Sequence, residues 1–159
     1  MNIKAQLPLV ALLIATGAAA GDHRYPLAPA YVAECGSCHV AYPPALLSAA
    51  DWATTMQNLD RHFGSDASLD PEVHKAIAAI LQAQASTRSK HTAGGTAPRL
   101  TATLWFQKEH RAEKLRRHQA QPAPATPQST PLAQCNTCHA RADQGDFGEN
   151  SLKTSATRR

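Results

Sequence analysis

Aromatic residues are scarce in this chain, and charged residues are fewer than usual. Only 5% of the 159 residues are aromatic and 18% are charged. A charged fraction below the usual quarter argues against a long disordered acidic or basic protein. The formal net charge of +4 is too small for the dense Lys/Arg surface of a nucleic-acid-binding protein. The length allows one domain or two very small ones, which excludes a large multidomain enzyme.

No apolar run long enough to cross a membrane follows residue 21, but a short one precedes it. Lys4 is followed by the largely apolar residues 7–15 and then by Ala18–Ala20. A basic residue, a short apolar run and small residues before a cleavage point are typical of a secretory signal peptide, here residues 1–20. An uncleaved membrane anchor is the alternative, which the shortness of the run disfavours. We expect export to the periplasm, with no membrane-spanning segment after cleavage.

The four cysteines of the chain form one short pattern that occurs twice. The pattern is C-x-x-C-H, and its residues are Cys35, Cys38 and His39, and then Cys135, Cys138 and His139. It is the attachment signal for c-type haem, because two thiols three positions apart each bond one vinyl group and the next imidazole reaches the iron. The sequence therefore predicts two covalently bound haem c groups.

Zinc binding, a redox-active dithiol and structural disulfides are the alternatives for these cysteines. Zinc ribbons place their cysteine pairs roughly 15–20 residues apart, far closer than the two pairs of this chain. None of the three alternatives requires a histidine directly after each pair.

The second axial ligand of each iron comes from a short inventory. Once the signal peptide is removed, Met56 is the only methionine, so at most one haem has His/Met ligation. At least one haem is therefore either bis-His or five-coordinate. The histidines outside the two motifs are His23, His62, His74, His91, His110 and His118.

Two of these histidines have the most favourable neighbourhoods. His62 falls on the apolar face of a helix predicted over residues 49–63, with Ser48 as its N-cap. Met56 lies on the same face, where we expect it to fill the core. His110 follows Phe106 by one turn of a helix predicted near residues 102–118, with Thr101 as its cap. His74 lies at the edge of an apolar stripe, His91 and His118 have polar or basic surroundings, and His23 is near the new N-terminus.

Helical periodicity and the absence of any alternating strand pattern predict an all-α fold. We expect helices over residues 30–38, 49–63, 71–85 and 102–118. The polar, glycine-ended segment 86–95 indicates a boundary between an N-terminal haem domain (21–95) and a C-terminal haem domain (96–159). Residues 119–131, rich in Ala, Pro and Gln, are predicted to be an extended spacer. Residues 151–159 have the composition of a disordered basic end.

Several stretches resemble a known family beyond the haem motifs themselves. They are Cys35–Leu47 with its Tyr42-Pro43-Pro44, Trp52, His62-Phe63-Gly64 and the residues to Leu69, Leu100-Thr101, Trp105–Arg111, the second motif, and Gly145-Asp146-Phe147. In these the chain is similar to the small periplasmic dihaem cytochromes c. The likeness covers most of residues 31–148. The spacer before Cys135 and the end after Gly148 depart from it.

The resemblance implies a shortened cytochrome-c-like N-terminal haem domain and a smaller, irregular C-terminal one. It also implies bis-His ligation of both irons, with His62 and His110 as the distal ligands. Its implied partners are a soluble oxygen-binding monohaem cytochrome and a membrane b-type cytochrome or quinol-oxidising system. We therefore expect an electron-transfer protein rather than an enzyme. The alternatives are a haem enzyme or gas sensor with one five-coordinate haem, or a secreted domain held by disulfides.

Overall fold

A computed structural model of the protein describes residues 23–117 and 132–153, which form short helices and turns joined by loops. No strand occurs in these two ranges beyond isolated bridges, so the predicted all-α class is confirmed. The α-helices are α1 (Pro29–Cys35), α2 (Ala49–Gln57), α3 (Pro71–Gln84), α4 (Leu104–Glu109) and α5 (Ala112–Arg117). The 3-10 turns span Pro44–Leu46, Leu59–Arg61, Ser89–His91, Leu100–Ala102, Cys135–Thr137, Ala142–Gln144 and Glu149–Ser151.

Helices α2 and α3 begin at side-chain caps and pack against each other. Ser48 caps α2, as predicted, by accepting a hydrogen bond from the Asp51 amide, and Asp70 caps α3 in the same way. Their facing sides bury Trp52, Met56 and Ile77 in a core to which α1 adds Tyr31. Met56 therefore fills the core, as expected.

The polar segment 86–95 lies against the N-terminal half. The Ser86 amide donates to the Leu47 carbonyl, and the buried Asp51 carboxylate accepts hydrogen bonds from the Ala93 and Gly94 amides. His91 is only 5% exposed, so its polar neighbours in the sequence did not indicate its environment. The segment is attached to the core at several points along its length.

Two predicted helices are wrong in their extent. The helix predicted over 49–63 ends at Gln57, so His62 lies beyond it, after the 3-10 turn Leu59–Arg61. The helix predicted over 102–118 is interrupted. Helix α4 ends at Glu109, His110 leaves helical geometry, and α5 begins at Ala112. The break occurs where the His110 ring turns back toward the Phe106 carbonyl. The cap of α4 is Thr103 rather than Thr101, because residues 100–102 form a 3-10 turn of their own.

The first described residues pair with a segment more than a hundred positions later in the chain. The Tyr25 amide donates to the Gly145 carbonyl, and the Phe147 amide donates to the His23 carbonyl. Arg24 forms an ion pair with the buried carboxylate of Asp146. Residues 23–27 thus lie beside the second haem motif.

The predicted basic end is partly wrong as well. Ser151 is buried, and the Lys153 amide donates to the Cys138 carbonyl, so residues 151–153 are folded onto the second motif. The signal peptide, the spacer 119–131 and the end after residue 153 lie outside the described residues. Within residues 23–117 and 132–153, none of the helices has the length and apolarity that crossing a bilayer requires.

Candidate functional site

The first C-x-x-C-H motif begins at the last residue of α1. Cys35 ends this helix, and the His39 ring lies against Tyr42 and opposite His62. The Nδ1 atom of His39 lies 2.7 Å from the Val40 carbonyl oxygen. Because a carbonyl only accepts, Nδ1 carries the proton and Nε2 is left with a free lone pair, as a metal ligand requires.

His62 stands opposite His39 across a gap. It follows the 3-10 turn Leu59–Arg61 and starts a tight turn in which Phe63 (φ +51°) and Gly64 (φ +94°) both have positive φ, the pattern of a type I′ turn. This backbone is unusual for a phenylalanine, and such strain is concentrated at functional sites. The ring centres of His39 and His62 are 6.2 Å apart, and the ring planes are only 19° from parallel.

The second motif presents an equivalent pair. His139 follows the 3-10 turn Cys135–Thr137, and its amide donates to the Cys135 carbonyl. His110 faces it with a ring-centre distance of 6.3 Å, but here the two planes differ by 70°. The His110 ring stacks on Phe106 at 3.8 Å, as their one-turn spacing predicted, and its Nδ1 donates to the Phe106 carbonyl.

Both separations fit an iron held between two imidazoles. Metal–nitrogen bonds of about 2.0–2.1 Å on each side bring the centres of two ligating rings to roughly 6 Å from one another. The observed 6.2 and 6.3 Å match this value at both sites. Each C-x-x-C-H histidine is thus paired with one of the two distal candidates that the sequence favoured, His39 with His62 and His139 with His110. Axial ligation itself stays a prediction.

An apolar cavity surrounds the second pair. Its lining includes His110 and His139 together with Cys135 and Cys138, so all four predicted residues of the second haem site share one pocket. The remaining lining is mainly apolar and comes from both halves of the chain, through Leu46, Leu100, Phe106, Leu132, Phe147 and Leu152. Such a pocket suits the largely apolar face of a porphyrin.

Burial favours the neutral form of three of the four paired imidazoles. Desolvation lowers the pKa of His62, with smaller contributions from His39 and Arg99. Desolvation also lowers the pKa of His110, and it lowers that of His139 to about 4. Neutral imidazole is the form that binds a metal, so the environment of these rings favours ligation.

The cysteines fit thioether attachment better than zinc binding. Desolvation raises the pKa of Cys35 to about 11 and that of Cys135 to about 12, so burial makes both thiols less acidic than an exposed cysteine. None of the four cysteines forms a disulfide. In the described ranges, which contain every cysteine, no group of three or more His, Cys, Asp or Glu residues is arranged to hold a metal ion.

The other described histidines do not face a motif histidine at this spacing. His74 bonds the Met56 carbonyl through Nε2, so that nitrogen is occupied as a donor. His91 packs edge-on against Trp105, with its Nδ1 near Ser86 and the Ala45 carbonyl. His23 lines the second cavity, which its place near the predicted N-terminus did not suggest. His118 lies outside the described residues.

Sequence reasoning did not find the residue that links the two haem sites. The Tyr42 ring stacks on His39 at 4.8 Å, and its hydroxyl donates to the carbonyl of Ala133, two residues before Cys135. Tyr42 also lines the second cavity. Its Tyr-Pro-Pro context was a signal of family resemblance only, and nothing local indicates a partner 91 positions away.

Comparisons with known proteins agree with this geometry. The family model for dihaem cytochrome c matches residues 31–147. A crystal structure of DHC purified from Rhodobacter sphaeroides is 32% identical, covers 77% of this chain and 99% of its own, and superposes with a TM-score of 0.56. A diheme cytochrome type c from Shewanella baltica OS155 is 35% identical, covers 79% and 90%, and has a TM-score of 0.60. A search of curated proteins found no match.

The motifs, the paired imidazoles and these similarities define a covalent dihaem protein. The chain belongs to the dihaem cytochrome c family. It carries two covalently bound haem c groups, one at each C-x-x-C-H motif, and membership in the family implies electron transfer. Cytochromes c are typically exported proteins. The comparisons give no support to the alternative of a haem enzyme or gas sensor.

Proposed function

We propose that the protein is a periplasmic electron carrier whose two haems are both ligated by two histidines. The observation that carries this proposal is the pairing of His39 with His62 and of His110 with His139, at ring-centre distances of 6.2 and 6.3 Å. The bound haems supply the one-electron redox centres. His39 with His62, and His139 with His110, would hold the two irons, and two imidazole ligands on each iron would leave no coordination site for a substrate.

The surroundings of each pair support a role in holding the ligands still. His39 and His110 are fixed by hydrogen bonds from Nδ1 to carbonyl groups at 2.7 and 3.0 Å. Stacking on Tyr42 and Phe106, respectively, restricts the rotation of the same two rings. Ligands that do not rearrange between oxidation states suit an electron carrier, because little structure must change when an electron arrives.

For partners, we propose a membrane b-type cytochrome or quinol-oxidising system as donor and a soluble monohaem cytochrome of the oxygen-binding type as acceptor. Support for a charged docking surface comes from residues 108–117, which contain five basic and two acidic residues beside His110. Lys108, Arg111 and Arg116 are exposed. A basic surface attracts an acidic partner, and we expect the association rate to fall as salt rises.

Removing one distal histidine at a time tests the ligation. His62→Ala and His110→Ala should each convert one haem to a five-coordinate, high-spin form that binds carbon monoxide, while the other haem stays low-spin. His74→Ala is the matched control, because His74 is also a helix-associated histidine near the core but bonds a carbonyl through Nε2.

The measurement is the visible absorption spectrum of the purified holoprotein before and after carbon monoxide. The wild type and His74→Ala should not respond, and each distal variant should respond with about half of its haem. A wild type in which one haem already binds carbon monoxide would contradict the proposal. So would a distal variant that remains fully low-spin.

A further inference from the structure

Arg99 is a half-buried cation next to the first histidine pair, and it has no carboxylate partner among residues 23–117 and 132–153. Its guanidinium carbon lies 3.9 Å from the centre of the Phe63 ring. Phe63 in turn packs edge-on against His62 at 4.8 Å. The cation is therefore held on an aromatic ring directly beside a predicted axial ligand.

The turn that carries Phe63 fixes this arrangement. Phe63 keeps an unfavourable positive φ of +51° in the turn that presents its ring to the guanidinium. His62 begins the same turn and faces His39 at a ring-centre distance of 6.2 Å. Arg99 therefore lies beside the first pair, on the side of His62.

A partly desolvated guanidinium without an anion is costly, so its natural complement is a carboxylate. The planar fork of arginine binds carboxylates through two parallel hydrogen bonds. A haem c carries two propionate carboxylates, and the first motif places one haem at this site. We propose that Arg99 binds a propionate of the N-terminal haem and, through that ion pair, raises the haem's reduction potential. The proposal rests on the proposed ligation by His39 and His62.

The test compares Arg99→Gln and Arg99→Lys with Arg61→Gln in the holoprotein. Arg61→Gln is a matched control because it removes the same charge from the residue directly before His62. The Arg61 side chain, however, is 76% exposed and pairs with Asp60 at the surface. The readouts are the two reduction potentials and the propionate bending mode in the resonance Raman spectrum. Electron paramagnetic resonance (EPR) assigns the haems, because the 19° and 70° imidazole angles give different low-spin signals.

Arg99→Gln should lower the equilibrium constant for reducing the N-terminal haem by about tenfold, which corresponds to 59 mV for a one-electron couple. It should also shift one propionate mode. Arg99→Lys keeps the positive charge but not the planar guanidinium that binds a carboxylate through two hydrogen bonds. The reduction potential of the N-terminal haem should therefore change less than in Arg99→Gln, while the same propionate mode still shifts. Arg61→Gln should change neither readout appreciably.

Two results would overturn the proposal: a shift in Arg99→Gln no larger than that in Arg61→Gln, or a shift confined to the C-terminal haem. If Arg99→Gln does not yield holoprotein, Arg99→Lys decides alone, and an unchanged propionate mode refutes the ion pair. A failure of bis-His ligation would be distinguishable, because it would show as a high-spin signal in the wild type.

Discussion

Replacing Gly145 with alanine should detach residues 23–27 from the second haem site. Gly145 has φ +74°, and a Cβ added there would lie 2.0 Å from the Tyr25 carbonyl oxygen. The Tyr25 backbone must move away by about 1 Å before this contact reaches 3.0 Å, the shortest distance that real Cβ atoms show. This movement weakens two hydrogen bonds, from the Tyr25 amide to the Gly145 carbonyl at 2.9 Å and from the Phe147 amide to the His23 carbonyl at 3.0 Å.

The magnitude follows from these contacts. The left-handed conformation costs a non-glycine residue about 1–2 kcal/mol, and each hydrogen bond contributes about 1 kcal/mol. The free energy of unfolding should therefore fall by about 3–4 kcal/mol, a decrease in Tm of roughly 10–15 °C for a chain of this size. Gly94→Ala is the matched control, since Gly94 has φ +72° but no atom within 4 Å of the added Cβ. Its cost should be only about 1–2 kcal/mol.

The assay is thermal unfolding of both holoprotein variants, followed by circular dichroism and by the absorption of the haems. Equal losses of stability in the two variants would refute the reasoning, because the steric contact with Tyr25 would then contribute nothing.

Two further perturbations test the contacts around the haem sites. Tyr42→Phe removes the hydrogen bond to Ala133 but keeps the ring on His39, so it should lower the free energy of unfolding by about 1 kcal/mol and leave the EPR signal of the first haem unchanged. Tyr42→Leu removes the ring as well and should alter that signal. Identical spectra for the two variants would argue against the stacking role. Hydrogen bonding from the Gly148 amide and pairing with Arg141 lower the pKa of Asp146. The ionised Asp146 side chain therefore stabilises the fold at any pH above the ordinary carboxyl pKa, and this contribution is lost as the pH falls through the lowered pKa. Urea unfolding from pH 7 to about 3 should show that loss in the wild type and a weaker dependence in Asp146→Asn; parallel curves would contradict the assignment.

The local features of the haem sites were predictable from the sequence. The C-x-x-C-H pattern identifies the haem-bearing cysteines because its chemistry depends only on adjacent positions. Predicted helical spacing ranked His62 and His110 highest, although both lie beyond the ends of α2 and α4 in the structure. The stacking of His110 on Phe106 is the direct result of a four-residue separation. These predictions used contacts within one or two helical turns.

Long-range pairing was not predictable in the same way. The bond from Tyr42 to Ala133, and the contact of Tyr25 with Gly145, join residues about a hundred positions apart, and neither leaves a periodic pattern. The helix break at His110 was missed because the residues around it all have good helix propensity. There, the bond from the imidazole to the Phe106 carbonyl prevails over that propensity.

The most direct test of the central claim is the EPR spectrum of the oxidised wild-type protein. Two imidazoles on each iron predict two low-spin ferric signals of equal intensity and no high-spin signal. They should differ in anisotropy, since the rings are nearly parallel at one site and steeply inclined at the other. A high-spin component accounting for one of the haems would contradict the account.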